Sequence, residues 1–470
     1  MKWLTWAVAA LLVLVCGPVA GEPILPATAA AAQAALYLDA FNRDDDATYA
    51  SYRQQHWPSG QESPEHHQSV RDQSGGFDLV KIVASSETTL TAILKGRFSE
   101  NYVRFTIEVE PAPPYLIKSL VLAPVAPPAD APRPERVSRP ALITLLRERL
   151  EAMPEFSGAL LIAENGKPVF TTARGYADRD HQSANTMETE FSYASMGKMF
   201  TAVAIVQLAQ AGKLRFDAPI SDYLKDYPNQ DFARSVTVHQ LLTHTGGAGD
   251  FFGPVYYAHR SKLNDAKDYI ALFGDRAPEF KPGTRWSYSN FGYILLGRII
   301  EEVSGQSYAD YVRDHILSPA GMTHTFVSAK PEGAPTALRY FRDLHGVHAV
   351  ADFGLDRATP AGGGYSTVGD LLAFANALMA HRLLDAEHTA LVTTGKVSAE
   401  PGSRYGYGFF DYLGEGARDV GHSGGAPGVN GDLRIVGDGR WTIVVLSNFG
   451  PPPRAMQLSH FAATRLSLAP

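Results

Sequence analysis

Ser195 and Lys198 stand three residues apart in an apolar stretch of the sequence. Residues at i and i+3 lie on one face of a helix, so the lysine amine can reach the serine hydroxyl. Burial among Met196, Met199 and Phe200 would lower the pKa of the lysine and make it a neutral base for that hydroxyl. The structural alternative is that Ser195 caps the helix and Lys198 extends its amine to solvent. Spacing alone leaves both interpretations open, because a chain of this length holds roughly one such pair by chance.

Two further segments carry residue types that suit the same chemistry. Tyr288 and Asn290 stand in a turn just before an apolar helix, where a phenol and an amide can be brought to one point. The segment DVGHSGG places His422, Gly424 and Gly425 on a predicted strand. Glycines at such positions let a substrate backbone lie close to the strand, with a free amide facing it.

These three segments resemble the serine β-lactamase-like hydrolases, which include class C β-lactamases, D,D-peptidases and family VIII carboxylesterases. The order is SxxK at Ser195, YxN at Tyr288 and HxG at His422. The resemblance runs from about Phe156 to the C-terminus and leaves the 22–122 region uncovered. It also includes the segments HQLLTHTGG (239–247), PGTRWSYSN (282–290), GGGYST (362–367) and YGYGFF (405–410).

The resemblance implies a catalytic role for each matching position. Ser195 would attack a carbonyl and form an acyl-enzyme. Lys198 and Tyr288 would share general-acid and general-base work, with Tyr288 activating the deacylating water. Which of the two takes the serine proton is left open. Asn290 would bind the substrate and hold Lys198 in place, and the backbone amides of Ser195 and Gly425 would form the oxyanion hole.

His422 departs from the lysine that β-lactamases typically carry at this position. It would bind or polarise the substrate beside Gly424, but an imidazole is mostly neutral at pH 7 and holds a carboxylate less firmly than an ammonium. Ester hydrolysis is therefore favoured over efficient β-lactamase activity. D,D-peptidase, D-amino-acid amidase or weak β-lactamase activity on cell-wall-like substrates is the alternative, since some relatives also have histidine here. A penicillin-binding sensor without turnover is a second alternative, although Tyr288 argues against the slow deacylation that a sensor needs.

The segment GHSGG also matches GxSxG, the nucleophile elbow of α/β-hydrolases, with Ser423 as nucleophile. That elbow requires a helix directly after the serine, but Pro427, Gly428 and Gly431 follow and predict a loop and a strand. The elbow also needs an acid and then a histidine downstream, and His460 is the one histidine left. The sequence therefore disfavours Ser423.

An aromatic loop follows the HTGG motif. It either borders the cleft, where it would suit a bulky acyl group or a sugar, or packs as ordinary subdomain surface. Its residues are Asp250, Phe251, Phe252, Tyr256 and Tyr257.

The pattern of elements predicts an α/β (α+β) fold for residues 140–470. Strand-like segments at both ends and a helical middle, about 195–395, predict an antiparallel sheet built from both ends of the domain, with flanking helices and an inserted all-helical subdomain. The Pro/Ala-rich stretch 123–139 is typical of a linker. Residues 22–122 predict a small α+β domain that resembles the cystatin-like fold of the nuclear transport factor two superfamily, with His56, His66 and His67 in a polar loop.

The N-terminus is typical of a secretory signal peptide, residues 1–21, with Lys2 before an apolar run and small residues after it. The single cysteine, Cys16, lies inside it; acylation as a lipoprotein is the alternative, although Val15 replaces the small residue expected before it. The mature protein would then have no disulfide and no stable membrane span, which favours the periplasm or secretion. Net charge is −7 without a basic stripe, which disfavours nucleic acid as a partner. We expect a small-molecule ester, amide or cell-envelope substrate and no metal or cofactor; oligomeric state is left open.

Overall fold

The computed structural model describes residues 23–43, 45–60, 62–328, 333–350, 357–413 and 417–467. The chain divides into a smaller compact unit, Met1–Glu62 with Ser74–Ala131, and a larger one, Ser63–Gln73 with Pro132–Pro470. The expected signal peptide, Cys16 included, lies outside the described residues, and the domain boundaries expected from the sequence stay predictions.

The smaller unit is a four-stranded antiparallel meander covered by a helix. Its core contains Tyr37 stacked on Phe41 and Phe105, all fully buried. The expected α+β composition is therefore observed, while the assignment to the nuclear transport factor two superfamily stays a prediction. Its helices are α1 (Ala29–Asn42) and α2 (Asp46–His56), and its strands, paired in chain order, are β1 (Phe77–Ser85), β2 (Thr89–Gly96), β3 (Tyr102–Val109) and β4 (Ile117–Val125).

The expected polar loop is largely helical: His56 ends α2, and the part with His66 and His67 forms helix α3 (Pro64–Ser74). The residues of α3 up to Gln73 belong to the larger unit. The carbonyl of Asp72 accepts a hydrogen bond from Arg454 at 3.1 Å, and the carbonyl of Gln73 accepts one from Gln457 at 2.7 Å. Tertiary bonds of this kind stabilise a short helix whose composition gives no helical signal.

Helices make up most of the middle of the larger unit. They are α4 (Arg139–Glu151), α5 (Lys198–Gln210), α6 (Gln230–Ser235), α7 (Val238–Leu242), α8 (Pro254–His259), α9 (Ala266–Phe273), α10 (Asn290–Ser304), α11 (Tyr308–Val312), α12 (Ser318–Ala320), α13 (Val368–Met379), α14 (Ala386–Thr393) and α15 (Arg454–Ala463). The strands are β5 (Gly158–Glu164), β6 (Lys167–Arg174), β7 (Tyr176–Asp178), β8 (Ser183–Ala184), β9 (Phe191–Ser192), β10 (Tyr340–Asp343), β11 (Gly346–Ala349), β12 (Tyr365–Ser366), β13 (Val397–Ser398), β14 (Ser403–Tyr405), β15 (Phe410–Tyr412), β16 (Asp419–Ala426), β17 (Val429–Val436) and β18 (Trp441–Ser447).

The main sheet confirms the predicted assembly from both ends of the domain. Its eight strands run in the order β13-β14-β15-β16-β17-β18-β5-β6, and the pairing of β18 with β5 joins the two ends. Every residue of β17 and β18 is buried. Because alternate side chains point to opposite faces, both faces of the sheet are covered, with α13 and α15 packed against it.

Helix α5 lies at the centre of the larger unit, and the predicted nucleophile, Ser195, lies directly before it. A short 3₁₀ helix, Ala194–Gly197, precedes it, and the chain leaves the helix near Gly212, where φ is +69°. The helix is apolar on all sides, which is why it is buried on all sides. Its N-terminus meets the turn before α10 and strand β16, so the three segments singled out by sequence converge.

Candidate active site

The backbone around Ser195 is held in an uncommon conformation. Ala194 has a φ of +43°, a left-handed value that costs a residue with a Cβ roughly 1–2 kcal/mol. Its carbonyl accepts a hydrogen bond from the N–H of Gly363 at 3.1 Å. A Cβ at Gly424 would lie 2.5 Å from the carbonyl oxygen of Tyr193, so only glycine permits this approach. The turn is thus fixed by contacts with two distant segments.

Lys198 is fully buried and points its amine at three oxygens. The Nζ atom lies 3.3 Å from Ser195 Oγ, 2.7 Å from Asn290 Oδ1 and 2.5 Å from the carbonyl oxygen of Ala361. Burial lowers the pKa of Lys198 to about 7, although the charge of Asp250 opposes that shift. The alternative of a lysine extended into solvent is wrong for this chain.

Asn290 is oriented by a carboxylate that sequence reasoning left without a role. Its Nδ2 donates to Asp250 Oδ2 at 2.8 Å, which leaves Oδ1 to accept from Lys198. Asp250 Oδ1 in turn accepts the backbone N–H of Phe251 at 2.7 Å. Asn290 begins α10, whose N-cap is Ser289. The relevant signal was the position of Asp250 three residues after the HTGG motif.

Tyr288 completes the group around the nucleophile. Its side chain lines the cleft together with Ser195, and its ring centroid lies 4.7 Å from Lys198 Nζ. Burial raises the pKa of Tyr288 well above its usual value, and the Ser195 side chain only partly opposes the rise. The phenol is therefore protonated near neutral pH.

His244 of the HTGG motif supports the turn that carries Tyr288. Its Nδ1 accepts the N–H of Ser289 at 3.1 Å, and its carbonyl accepts the N–H of Ser287 at 2.9 Å. Its ring lies 4.4 Å from the ring of Tyr288, centroid to centroid. Burial, with the charge of Lys198 nearby, lowers the pKa of His244 well below its usual value. His244 is thus a neutral structural support, and the sequence motif was the signal for it.

His422 is 1% exposed and turns away from solvent. Its Nδ1 lies 2.5 Å from the carbonyl oxygen of Ser423, and its Nε2 lies 3.1 Å from the hydroxyl of Tyr405. Because a carbonyl only accepts, Nδ1 carries the proton and Nε2 accepts from the phenol. Burial, reinforced by the charge of Lys198, lowers the pKa of His422 to about 3. The imidazole is neutral, and it packs behind the cleft with its centroid 6.3 Å from that of Tyr288.

Gly425 directs its N–H group toward the cleft. Ala426 and Val429 flank a two-residue turn and form the last pair of β16 with β17. Residues that flank such a turn bond to each other, so the next pair points its N–H and C=O groups away from the partner strand. On that side β15 pairs with Asp419–Gly421 of β16, well short of Gly425. Gly425 lines the cleft together with Ser195.

Ser423 does not stand on a nucleophile elbow. It pairs with Asp432 inside the β16–β17 ladder, and the chain after it continues as strand, turn and strand. The strand–turn–helix that the α/β-hydrolase interpretation needs is missing from this part of the described chain, in agreement with the sequence argument.

The cleft in front of Ser195 has a volume of about 330 Å³. The aromatic loop borders it, as one of the two sequence interpretations expected, and Phe251 and Tyr256 are at the same time packed and nearly buried. Phe252 and Tyr257 are 39% and 41% exposed. The described residues contain no cluster of three or more metal-ligating side chains, and no helix among them is long and apolar enough to cross a membrane.

Comparisons with known proteins agree with this geometry. The family model described as Beta-lactamase matches residues 145–465. A Bacillus subtilis protein that carries the name penicillin-binding protein PbpX is 32% identical over 305 residues, which cover 62% of this chain and 71% of that protein. The crystal structure of a penicillin-binding protein from Bacillus halodurans matches with a TM-score of 0.59 and 32% identity, covering 67% of this chain and 97% of the other. That of a D-stereospecific amidohydrolase from Streptomyces matches with a TM-score of 0.58 and 26% identity, covering 70% and 98%.

Proposed function

The chain belongs to the beta-lactamase family of serine hydrolases, and we propose that it is an exported enzyme that hydrolyses esters through an acyl-enzyme formed on Ser195. The observation that carries the proposal is the hydrogen bonding of Lys198. A neutral amine has two N–H donors and one lone pair. Asn290 Oδ1 and the carbonyl of Ala361 accept only, so they take the two donors and leave the lone pair for the Ser195 hydroxyl.

Acylation follows from this arrangement. Ser195 Oγ attacks the ester carbonyl while its proton passes to Lys198, and the carbonyl oxygen becomes an oxyanion that accepts the N–H groups of Ser195 and Gly425. When the C–O bond of the ester breaks, the alcohol leaves with a proton supplied by Tyr288, which is re-protonated from Lys198. The raised pKa of Tyr288 suits it to donate.

In deacylation Lys198 is again the base. A water attacks the acyl carbon and its proton passes to neutral Lys198, while Ser195 recovers a proton as the acid leaves. The resemblance implied Tyr288 as the group that activates this water; we assign that step to Lys198 because the raised pKa keeps the phenol protonated. In this mechanism Lys198 is the general base, and Tyr288 transfers a proton from Lys198 to the leaving group. His422 acts behind the site as a neutral partner of Tyr405 and supplies no charge to a bound carboxylate.

A second candidate is hydrolysis of D-amino-acid amides or peptides. The specific observation in its favour is the likeness to the Streptomyces D-stereospecific amidohydrolase, which extends over 70% of this chain. The catalytic steps would be identical, with an amine as the leaving group.

Adduct mapping tests the nucleophile. The purified protein, Ser195→Ala and Ser423→Ala are treated separately with a fluorophosphonate and with benzylpenicillin, digested, and searched for added mass. We expect phosphonylation of Ser195 in the wild type and in Ser423→Ala, and none in Ser195→Ala. Labelling of Ser423 instead would refute the mechanism. A long-lived penicilloyl adduct on Ser195 would favour the peptidase or sensor alternatives over an esterase.

Substrate class and export are tested separately. Rates on short-chain 4-nitrophenyl esters and on D-phenylalanine amide decide between the two candidates, and we expect the esters to be hydrolysed faster. Export predicts that the protein recovered from the periplasm or medium begins near Gly21, which intact-mass measurement checks.

A further inference from the structure

The cleft carries one formally charged side chain among the described residues that line it, Arg357. The other lining side chains are aromatic, small or neutral polar groups. We call the aromatic side chains that line the cleft beside Arg357 the aromatic wall; they are Phe251, Phe252, Tyr256, Tyr257 and Tyr269. Burial raises the pKa of the Tyr269 phenol, and the nearby charge of Arg357 opposes the rise. The cleft therefore offers a positive charge beside an aromatic surface in a protein whose net charge is −7.

The guanidinium of Arg357 is held in place by neutral groups. Its Nη1 donates to Asn264 Oδ1 at 2.6 Å and lies 3.5 Å from the Asn264 carbonyl. Asn264 is itself fixed, because its N–H donates to Asp268 Oδ2 at 2.7 Å. No carboxylate of the described residues forms an ion pair with Arg357, and its side chain is exposed. A positioned arginine with spare N–H donors is suited to bind a planar carboxylate with two hydrogen bonds.

The segment after Arg357 is tied to the catalytic group. The carbonyl of Pro360 accepts from Thr201 at 2.7 Å, and that of Ala361 accepts from Lys198 at 2.5 Å. The position of Arg357 relative to Ser195 is therefore set by a short stretch that is bonded to α5. A side chain can select among substrates only if its position is fixed, and these hydrogen bonds fix the segment that carries Arg357.

The strand side of the cleft supplies no competing charge. His422 is buried and neutral, so β16 holds no cation for a substrate carboxylate. A carboxylate would thus be bound on the aromatic side, by Arg357, and not along the strand.

We propose that Arg357 selects substrates that carry a carboxylate on the part that packs against the aromatic wall. The inference rests on the proposed function and narrows its substrate class to esters or amides that combine an aromatic or other bulky apolar group with a free carboxylate. Because the contact is made equally in the ground state and the transition state, its loss raises KM more than it lowers kcat.

Matched substrate pairs test the inference. One pair consists of the 4-nitrophenyl esters of (4-carboxyphenyl)acetic and (4-carbamoylphenyl)acetic acid. The other pair consists of phenylacetate esters of 4-(hydroxymethyl)benzoic acid and of its amide. We expect the wild type to prefer the carboxylate about 10- to 100-fold in KM within one of the pairs, and higher salt to reduce that preference. The pair that shows it identifies which part of the substrate lies on the aromatic wall.

Three variants test whether Arg357 causes the preference for the carboxylate substrate. Arg357→Met should abolish the preference, Arg357→Lys should retain part of it, and Arg382→Met, which removes another exposed arginine, should leave it unchanged. Equal KM values in both pairs for the wild type, or a preference that survives in Arg357→Met, would overturn the inference. Fluorophosphonate labelling of Ser195 is measured in each variant. Labelling without a carboxylate preference defeats this inference alone, whereas a wild type that is not labelled defeats the proposed function as well.

Discussion

Protonation of Lys198 sets the pH dependence of the proposed reaction. Burial lowers the pKa of Lys198 to about 7, and only the neutral amine accepts the serine proton. With an uncharged ester, kcat/KM should therefore rise tenfold per pH unit below about pH 7 and level off above it. The raised pKa of Tyr288 predicts no descending limb from this phenol up to about pH 9.

The pH profile is measured by initial rates between pH 5 and 9, with the stability of the fold checked at each pH. Lys198→Met serves as the matched variant and should lose about 10²–10⁴-fold in kcat without a residual limb. A limb that persists in Lys198→Met would assign the base to another group.

Asp250 is predicted to act through Asn290 and not on the substrate. Asp250→Asn keeps an acceptor for Asn290 Nδ2 but removes the negative charge that raises the pKa of Lys198. The ascending limb should therefore move to lower pH, while the plateau changes little. Asp250→Ala also removes the acceptor and should lower kcat about tenfold or more, because Asn290 then loses its orientation.

The two Asp250 variants together distinguish the effect of the Asp250 charge on the pKa of Lys198 from a purely structural role of this side chain. A purely structural role would change the plateau and thermal stability of both variants without moving the limb. The KM for a neutral ester should stay close to that of the wild type in Asp250→Asn.

At the level of the elements, the nucleophile turn depends on close backbone approaches that only glycine allows. In Gly424→Ala the new Cβ would lie 2.5 Å from the Tyr193 carbonyl oxygen and 3.2 Å from the Ser195 nitrogen. The turn must then shift, and a displacement of about 1 Å costs about 10²-fold in rate. The variant should lose about that factor in kcat/KM and in the rate of fluorophosphonate labelling.

Gly369→Ala is the control for Gly424→Ala. This glycine lies in the first turn of α13, and an added Cβ would meet nothing nearer than Thr367 Oγ1 at 3.7 Å. Its activity should equal that of the wild type. If the fluorophosphonate labels Ser195 of Gly424→Ala at the wild-type rate, the close approach of β16 does not fix the conformation of the nucleophile turn.

The sequence predicted the convergence of Ser195, Lys198 and the Tyr288–Asn290 turn, because motif order and an all-apolar helix carry that information. It left Asp250 without a role, since a carboxylate in a loop shows its partner only once the chain is folded. The left-handed conformation of Ala194 was equally invisible, because contacts from residues far along the chain impose it. Placing His422 behind the cleft required knowing which face of β16 meets α5.

For the whole molecule, local patterning predicted the sheet better than it predicted the extent of each unit. The apolar runs of β5 and β18 predict strands buried on both faces, and the pairing of β17 with β18 follows from their antiparallel hairpin. Helix α3 had no such signal. It belongs to the larger unit through the ion pair of Asp72 with Arg342 and through carbonyl bonds to Arg454 and Gln457.

Asp72 is predicted to stabilise the larger unit although it lies far from Ser195 in the sequence. Its side chain is 5% exposed and pairs with Arg342, which is 32% exposed. Asp72→Ala leaves that guanidinium without its carboxylate, and we expect the free energy of unfolding of the larger unit to fall by about 1–3 kcal/mol, less than for a fully buried pair. Loss of ester hydrolysis in increasing urea measures the change, while kcat/KM without urea should stay constant.

Asp217→Ala is the matched comparison for Asp72→Ala. Asp217 also pairs with an arginine, Arg215, but both side chains are about three-quarters exposed, so solvent screens the pair. This variant should unfold at the same urea concentration as the wild type. If Asp72→Ala also did so, the ion pair of Asp72 with Arg342 would contribute nothing to the stability of the larger unit. A fall confined to Asp72→Ala would show that the hydrolase needs residues 63–73, which precede the predicted linker, for its full stability.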